Sequence, residues 1–177
     1  MFEKLVDFIA STLKDFLPFT FMEQWSGGII LRFGKYHRIV KPGLIWKIPF
    51  ADVLHATTIV TCTVSVPTQS LTTSDGKQIV VKSVVKYHIS DIKLFTLEVY
   101  NSKDAILDTT QAIIKRIITA KAWSECGDEK IDANIATKLR AEVKCWGIEI
   151  EKVTLTDIGL IRSIRLFNEN ENIKNAY

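Results

Sequence analysis

Along residues 57–66, TTIVTCTVSV, Val60, Cys62, Val64 and Val66 fall on one side and Ile59, Thr61, Thr63 and Ser65 on the other. This period of two predicts a half-buried strand. Ser74-Asp75-Gly76-Lys77 follows, a tight-turn signal of the Asp-Gly kind. Beyond it, Ile79, Val81, Val85, Tyr87 and Ile89 face one way and Gln78, Lys82, Lys86 and His88 the other, which predicts a strand with one wet face. From Asn101 or Ser102, either a suitable N-cap, the period turns helical. Ala105, Thr109, Ala112, Ile113 and Ile117 form a stripe through to about Trp123, and Gly127-Asp128 breaks it. Ile131, Ile135, Leu139, Val143 and Trp146 form a second stripe that Gly147 ends. The run IEIEKVTLTDIGL alternates again, and a phase slip at Glu151-Lys152 predicts a β-bulge. Strands, two helices and a closing strand give an α+β class, with helices packed on one face of an antiparallel sheet.

Ahead of these elements, Gly27 to Phe50 reads as an apolar strand (Ile29 to Phe33), a basic glycine-containing turn and a second apolar run. Pro42-Gly43 marks a turn, and Pro49 stops the second run from continuing as an interior strand. Residues 1–22, MFEKLVDFIASTLKDFLPFTFM, are apolar but carry Glu3, Lys4, Asp7, Lys14 and Asp15. Those charges rule out a spanning helix, which needs about 20 mostly apolar residues. They also interrupt any signal-peptide core, and no small-residue cleavage site follows. In helical projection, Phe2, Leu5, Val6, Ile9, Leu13, Phe16 and Leu17 gather on one side, with the charges and Ser11 opposite. Pro18 ends this helix. The pattern predicts an in-plane amphipathic membrane helix, with Phe19, Phe21 and Met22 as a further wedge into the headgroup zone. A core helix docked on its own domain would show the same stripe. The terminal position and the Phe-rich face favour the membrane.

Composition narrows the function. The 177 residues, 47% hydrophobic and 24% charged, suit one domain with a proper core and a short appendage. A net charge of +3 without an Arg/Lys-rich helix excludes nucleic acid as a partner. Cys62, Cys126 and Cys145 lie far apart and form no CxxC, so neither zinc nor a redox dithiol is expected. Their odd number suits a reducing compartment, and the alternation makes Cys62 a small core residue. The sequence contains no GxSxG, HExxH, Walker-type or GxGxxG motif, and His37, His55 and His88 stand alone. Asp128-Glu129 reads as a solvated pair at a helix start. No catalytic residue, cofactor or metal is therefore expected. The exposed candidates are Lys35, Arg38, Lys41 and Trp46, cations and an aromatic suited to phosphate headgroups. The alternative is an ordinary solvated turn with Trp46 in the core.

Three segments, Gly27 to Phe50, LTTSDGKQIVVKSVVKYHISD (Leu71 to Asp91) and AEVKCWGIEIEKVTLTDIGL (Ala141 to Leu160), together resemble the SPFH (Band 7, stomatin/prohibitin-like) domain. The similarity runs over roughly residues 23–160, after the 1–22 membrane segment and before a short polar tail at 161–177. The resemblance implies a β-lobe against a membrane in a non-enzymatic, self-assembling scaffold. Such a scaffold organises a membrane patch or modulates a client such as an FtsH-type membrane protease or a channel. Most SPFH proteins continue into a long coiled-coil helix. Here Asn168, Asn170, Asn172 and Asn175 lower helix propensity, and no heptad persists, so a large closed cage is not expected. That departure leaves room for a rival reading, an adaptor or decoy that binds a host SPFH assembly or its protease. In either case the protein is expected at a membrane, with its domain in a reducing compartment.

Overall fold

The computed structural model describes residues 17–128 and 130–161. The expected helix residues Phe2, Leu5, Val6, Ile9, Leu13 and Phe16 lie outside them, as does the tail beyond Ile161.

Strands β6 (Cys62–Thr72), β7 (Gln78–Ile89) and β8 (Ile148–Leu160) form an antiparallel sheet in the order β6-β7-β8. The hairpin turn lies where Asp-Gly predicts it. Gly76 takes a φ of +76°, which an L side chain resists, and its N–H donates to Thr73 O at 3.0 Å. The expected wet and dry faces of β7 are both present, with Ile79, Val81, Val85, Tyr87 and Ile89 buried. The phase slip is also a real bulge: Lys86 pairs with Lys152 and Tyr87 with Ile150, leaving Glu151 extra. A second irregularity skips Thr156, between the Lys82–Asp157 and Ser83–Leu155 pairs.

Helices α2 (Ser102–Thr119) and α3 (Lys130–Val143) cover the dry face. Ile131, Ile135, Leu139 and Val143 are buried as expected, and Gly147 ends the segment at φ +70°. The α2 stripe is rotated from the expected one. Ile106, Thr110, Ile113, Ile114, Ile117 and Ile118 are buried, Ala105 and Thr109 half-buried, and Ala112 exposed. Isoleucines remove much more apolar surface from water than alanines, so they set the rotation. The helix also stops at Thr119, short of Trp123, which opens a 3-10 turn. A short helix α1 (Ile92–Leu97) was not expected. Asp91 caps it by accepting from Lys93 N and Leu94 N at 2.8 and 3.2 Å.

The N-terminal part adds two antiparallel sheets where one sheet in all was expected. One is the ribbon of β1 (Phe19–Met22) and β4 (Gly43–Trp46); the other runs β3 (Lys35–Val40), β2 (Ser26–Arg32), β5 (Asp52–Thr58). The supposed single strand over 57–66 is divided between two sheets. β5 ends at Thr58, Ile59 N donates to Trp25 O at 3.0 Å, and β6 begins at Cys62. Val60 is therefore exposed rather than core, and Cys62 is half-buried against the main core. Alternation persists across the switch because both strands have a period of two. The basic "turn" is strand β3, and the actual turn is Phe33-Gly34, at φ 50° and 77°. Strand β2 is buried on both faces. Ile30 packs with Met22, Val40 and Ile45 in a small core beneath the ribbon. On the other face a Cβ on Gly27 would lie 2.5 Å from Ile92 Cδ1, so glycine there lets α1 dock.

Candidate functional site

The β1–β4 ribbon has an inner and an outer face. In register, Phe19 faces Trp46, Thr20 faces Ile45, Phe21 faces Leu44 and Met22 faces Gly43. Met22 and Ile45 are buried in the small core. Alternation then turns Phe19, Phe21, Leu44 and Trp46 outward, and Phe21, Leu44 and Trp46 are 76%, 63% and 64% exposed. The Phe19 ring lies 6.3 Å from that of Phe21, edge-on, and 6.5 Å from that of Trp46. Two backbone acceptors fix the ribbon's end: Lys47 N donates to Pro18 O, and Arg38 Nη2 to Trp46 O, both at 2.7 Å.

Beyond β4 the chain leaves the strand, and Ile48 and Phe50 there are exposed as well. Phe33 joins them at the β2–β3 turn, since Phe33 N donates to Ala51 O at 2.8 Å. Phe33 and Phe50 both have positive φ, 50° and 64°, and both are about 80% exposed. Both are large aromatics in a conformation better suited to Gly or Asn, an unusual choice of residue at an exposed position.

An ion pair holds this tip. Arg32 Nε and Nη2 donate to the two carboxylate oxygens of Asp52 at 2.7 and 3.0 Å, and Ile48 N donates to the same carboxylate at 2.9 Å. The Arg32 hydrogen bond, against burial, brings the Asp52 carboxyl down to about 2. Asp52 is thus charged at neutral pH and orders the loop that presents Ile48 and Phe50.

Of the residues singled out from the sequence, Phe19, Phe21 and Trp46 are brought together, and exposed Leu17 precedes them. The alternative with Trp46 in the core is excluded. The cations do not form one cluster. Arg38 is bound to the Trp46 carbonyl, Lys35 begins β3 beside the Phe33-Gly34 turn, and Lys41 follows the strand's far end. Six residues of extended chain put Lys35 and Lys41 roughly 20 Å apart. Leu44, Ile48, Phe50 and Phe33 were missed. The signal was present in the alternation from 44 to 50, and in a Phe-Gly pair at a two-residue hairpin turn.

The arrangement offers apolar area flanked by cations, and no reactive constellation. Among the described residues no group of three or more His, Cys, Asp or Glu is placed to hold a metal ion. Cys126 is buried, and burial pushes its thiol up, away from the reactive thiolate. Among the described residues no helix is long and apolar enough to cross a membrane.

Comparison with known proteins agrees with this architecture. An uncharacterized protein of Methanocaldococcus jannaschii is 31% identical over 157 residues, covering 88% of this chain and 74% of its own length. Stomatin-1 of Caenorhabditis elegans is 25% identical over 86% of this chain, and Protein HflK of Vibrio parahaemolyticus 26% identical over 79%. The chain spans only 47% of that stomatin and 33% of that HflK. The family model described as SPFH domain / Band 7 family matches residues 21–166, and the chain belongs to that family.

Proposed function

We propose that this protein is a non-enzymatic, membrane-associated scaffold that self-assembles on a lipid surface and organises the membrane patch around a client. The observation that carries the reading is the outward apolar face of the ribbon, Phe19, Phe21, Leu44 and Trp46, with exposed Ile48 and Phe50 in the chain that follows it. Trp and Phe on a rigid edge beside Lys and Arg suit the headgroup zone of a bilayer. The amphipathic sequence pattern of residues 1–17 offers a second apolar contact for the same lipid surface. Each contact is weak alone and strong when linked in one chain or repeated in an assembly. The names of the stomatin and HflK relatives are in keeping with a membrane setting. An FtsH-type protease or a channel remains the proposed kind of client, and the reducing side of the membrane its proposed location.

Vesicle co-sedimentation tests the reading. Phe21→Ser with Leu44→Ser touches neither the small core nor the Phe19–Trp46 pair, and should weaken binding by at least about tenfold, given roughly 1.5–3 kcal/mol for each fully buried large side chain. Leu5→Asp, Ile9→Asp and Leu13→Asp should do the same independently. A protein that sediments with vesicles equally well after both sets of changes would overturn the proposal.

A further inference from the structure

Every outer strand edge in the described chain except one has a feature that discourages pairing with another chain. β1 and β4 have only four residues each, and Arg38 takes the Trp46 carbonyl. β3 carries Lys35 and Arg38 and bulges at His37. β6 contains Pro67, whose carbonyl accepts from Gln111 Nε2. At β8, Arg140 donates to the carbonyls of Ile150 and Glu151, and Asp132 accepts from Leu155 N. β5 differs. Its seven residues, DVLHATT, pair with β2 in unbroken register and include no Pro, Lys or Arg. Its one carboxylate is turned to Arg32.

The bonds at its two ends fix which backbone groups point outward. Ile59 N donates to Trp25 O, and Phe33 N to Ala51 O, so the odd-numbered residues bond toward β2. Alternation in an antiparallel ladder then turns the N–H and C=O of Leu54, Ala56 and Thr58 away from the sheet. No hydrogen bond among the described residues takes those groups. Beside them lies a groove of about 440 Å³ between β5 and the α1–α2 connection, with Phe95, Val99 and Lys103 in its wall. Lys103 and His55 line it together with no acidic side chain.

We propose that this edge and groove form a docking site for an extended, acidic segment of a protein partner, added as a fourth strand beside β5. The outward groups of Leu54, Ala56 and Thr58 bond its backbone, Phe95 and Val99 receive an apolar side chain, and Lys103 meets a carboxylate. Affinity from main-chain bonds and selectivity from alternate side chains is the logic of strand addition. The site uses none of the ribbon's residues, so it stands or falls apart from the membrane reading.

The test is fluorescence anisotropy on the full chain without lipid, using seven-residue peptides of alternating Val and Thr, the length of β5. One set carries Glu at successive positions and the other Lys. Glu peptides should bind about tenfold tighter, and Lys103→Glu should reverse the order. Ala56→Pro removes an outward donor that the fold does not use, and should cost about tenfold. N-methylation of alternate peptide amides should cost as much, whether or not that variant folds. Equal binding of parent and N-methylated peptides would overturn the proposal. So would no binding by any peptide, or self-association that Ala56→Pro abolishes, which would assign the edge to a second copy.

Discussion

Phe19 and Trp46 stand directly opposite each other on β1 and β4, their ring centroids 6.5 Å apart, on the face turned away from Met22 and Ile45. A cross-strand aromatic pair adds roughly 0.2–1 kcal/mol to a ribbon, so this pair both holds the ribbon and forms its outer surface. Phe21 is 76% exposed, opposite Leu44 in the ribbon, and its ring lies edge-on to that of Phe19. The two phenylalanines should therefore separate on mutation. Phe21→Ala is expected to weaken vesicle binding severalfold with a thermal midpoint within a degree or two of the parent. Phe19→Ala should lose binding and stability together. Equal loss of stability in both would mean the outer face is packed, not free for lipid.

Phe33 gives a sharper separation of stability from function. It occupies the first of two positive-φ positions in the Phe33-Gly34 turn, with φ of 50°. Asn or Gly is favoured there because neither places a bulky side chain in that conformation. Phe33→Asn is expected to stabilise the protein by about 0.5–1 kcal/mol in urea unfolding while lowering vesicle affinity. A destabilised variant would show that the exposed ring is held by the fold.

Asp52 links the tip to pH. Its carboxyl lies at about 2, below the ordinary 3.8, chiefly through the Arg32 hydrogen bond. A group with a depressed folded value stabilises fully above its unfolded value and loses that contribution as pH falls through the folded one. The contribution should thus be complete above roughly pH 4 and gone below about pH 2. Asp75, also lowered to about 2 by Thr73 first, acts in the same window. Asp52→Asn should reduce stability at neutral pH and flatten part of the decline between pH 4 and 2, read as urea midpoints. A parallel decline in variant and parent would remove Asp52 from the acid response.

How much was legible follows from how local each signal is. The Asp-Gly turn, the two faces of β7, the α3 stripe and the Glu151 bulge are each set by a few neighbouring residues, and each was readable. The division of 57–66 between β5 and β6 was not, because a strand's period does not record which sheet it joins. Helix α1 has six residues, too few for a helical period to show against alternation. Lys35–Arg38 looked like a turn because its basic composition outweighed the stronger cue, the two-residue Phe33-Gly34 corner. The outer face of the ribbon needed the register of β1 against β4, a contact across more than twenty residues of sequence.

Two buried positions test the core in opposite senses. Ser83 lies on the dry face of β7, and its hydroxyl is buried without a hydrogen-bond partner among the described residues. Such a group costs about 1–3 kcal/mol to desolvate, so Ser83→Ala is expected to be neutral or stabilising. Gly28 is the reverse case. A Cβ there would lie 2.4 Å from His55 O and 3.2 Å from Ala56 Cα, both backbone atoms. Gly28→Ala should cost about 1–3 kcal/mol or more by forcing β2 and β5 apart. Urea unfolding of both variants decides; a tolerated Gly28→Ala would mean the β2–β5 pair is looser than described.

The last expectation concerns assembly, and it turns on where the chain is cut. Met22 is buried and β1 pairs with β4 through Gly43, so a deletion through residue 22 would strip a strand from the ribbon. Deleting residues 1–17 removes the amphipathic stretch and leaves β1 whole. Most outer edges are guarded, so lateral contacts between copies should be weak in dilute solution. A lipid surface confines copies to one plane and raises their local concentration, and a repeated heterologous contact then closes into a ring or runs on as a filament. The shortened protein should be monomeric or dimeric in detergent-free buffer by light scattering. The full chain should form larger species on vesicles or in detergent. If the shortened protein keeps the same large size in buffer, assembly does not depend on the membrane. If the full chain stays monomeric on lipid, the adaptor reading replaces the scaffold.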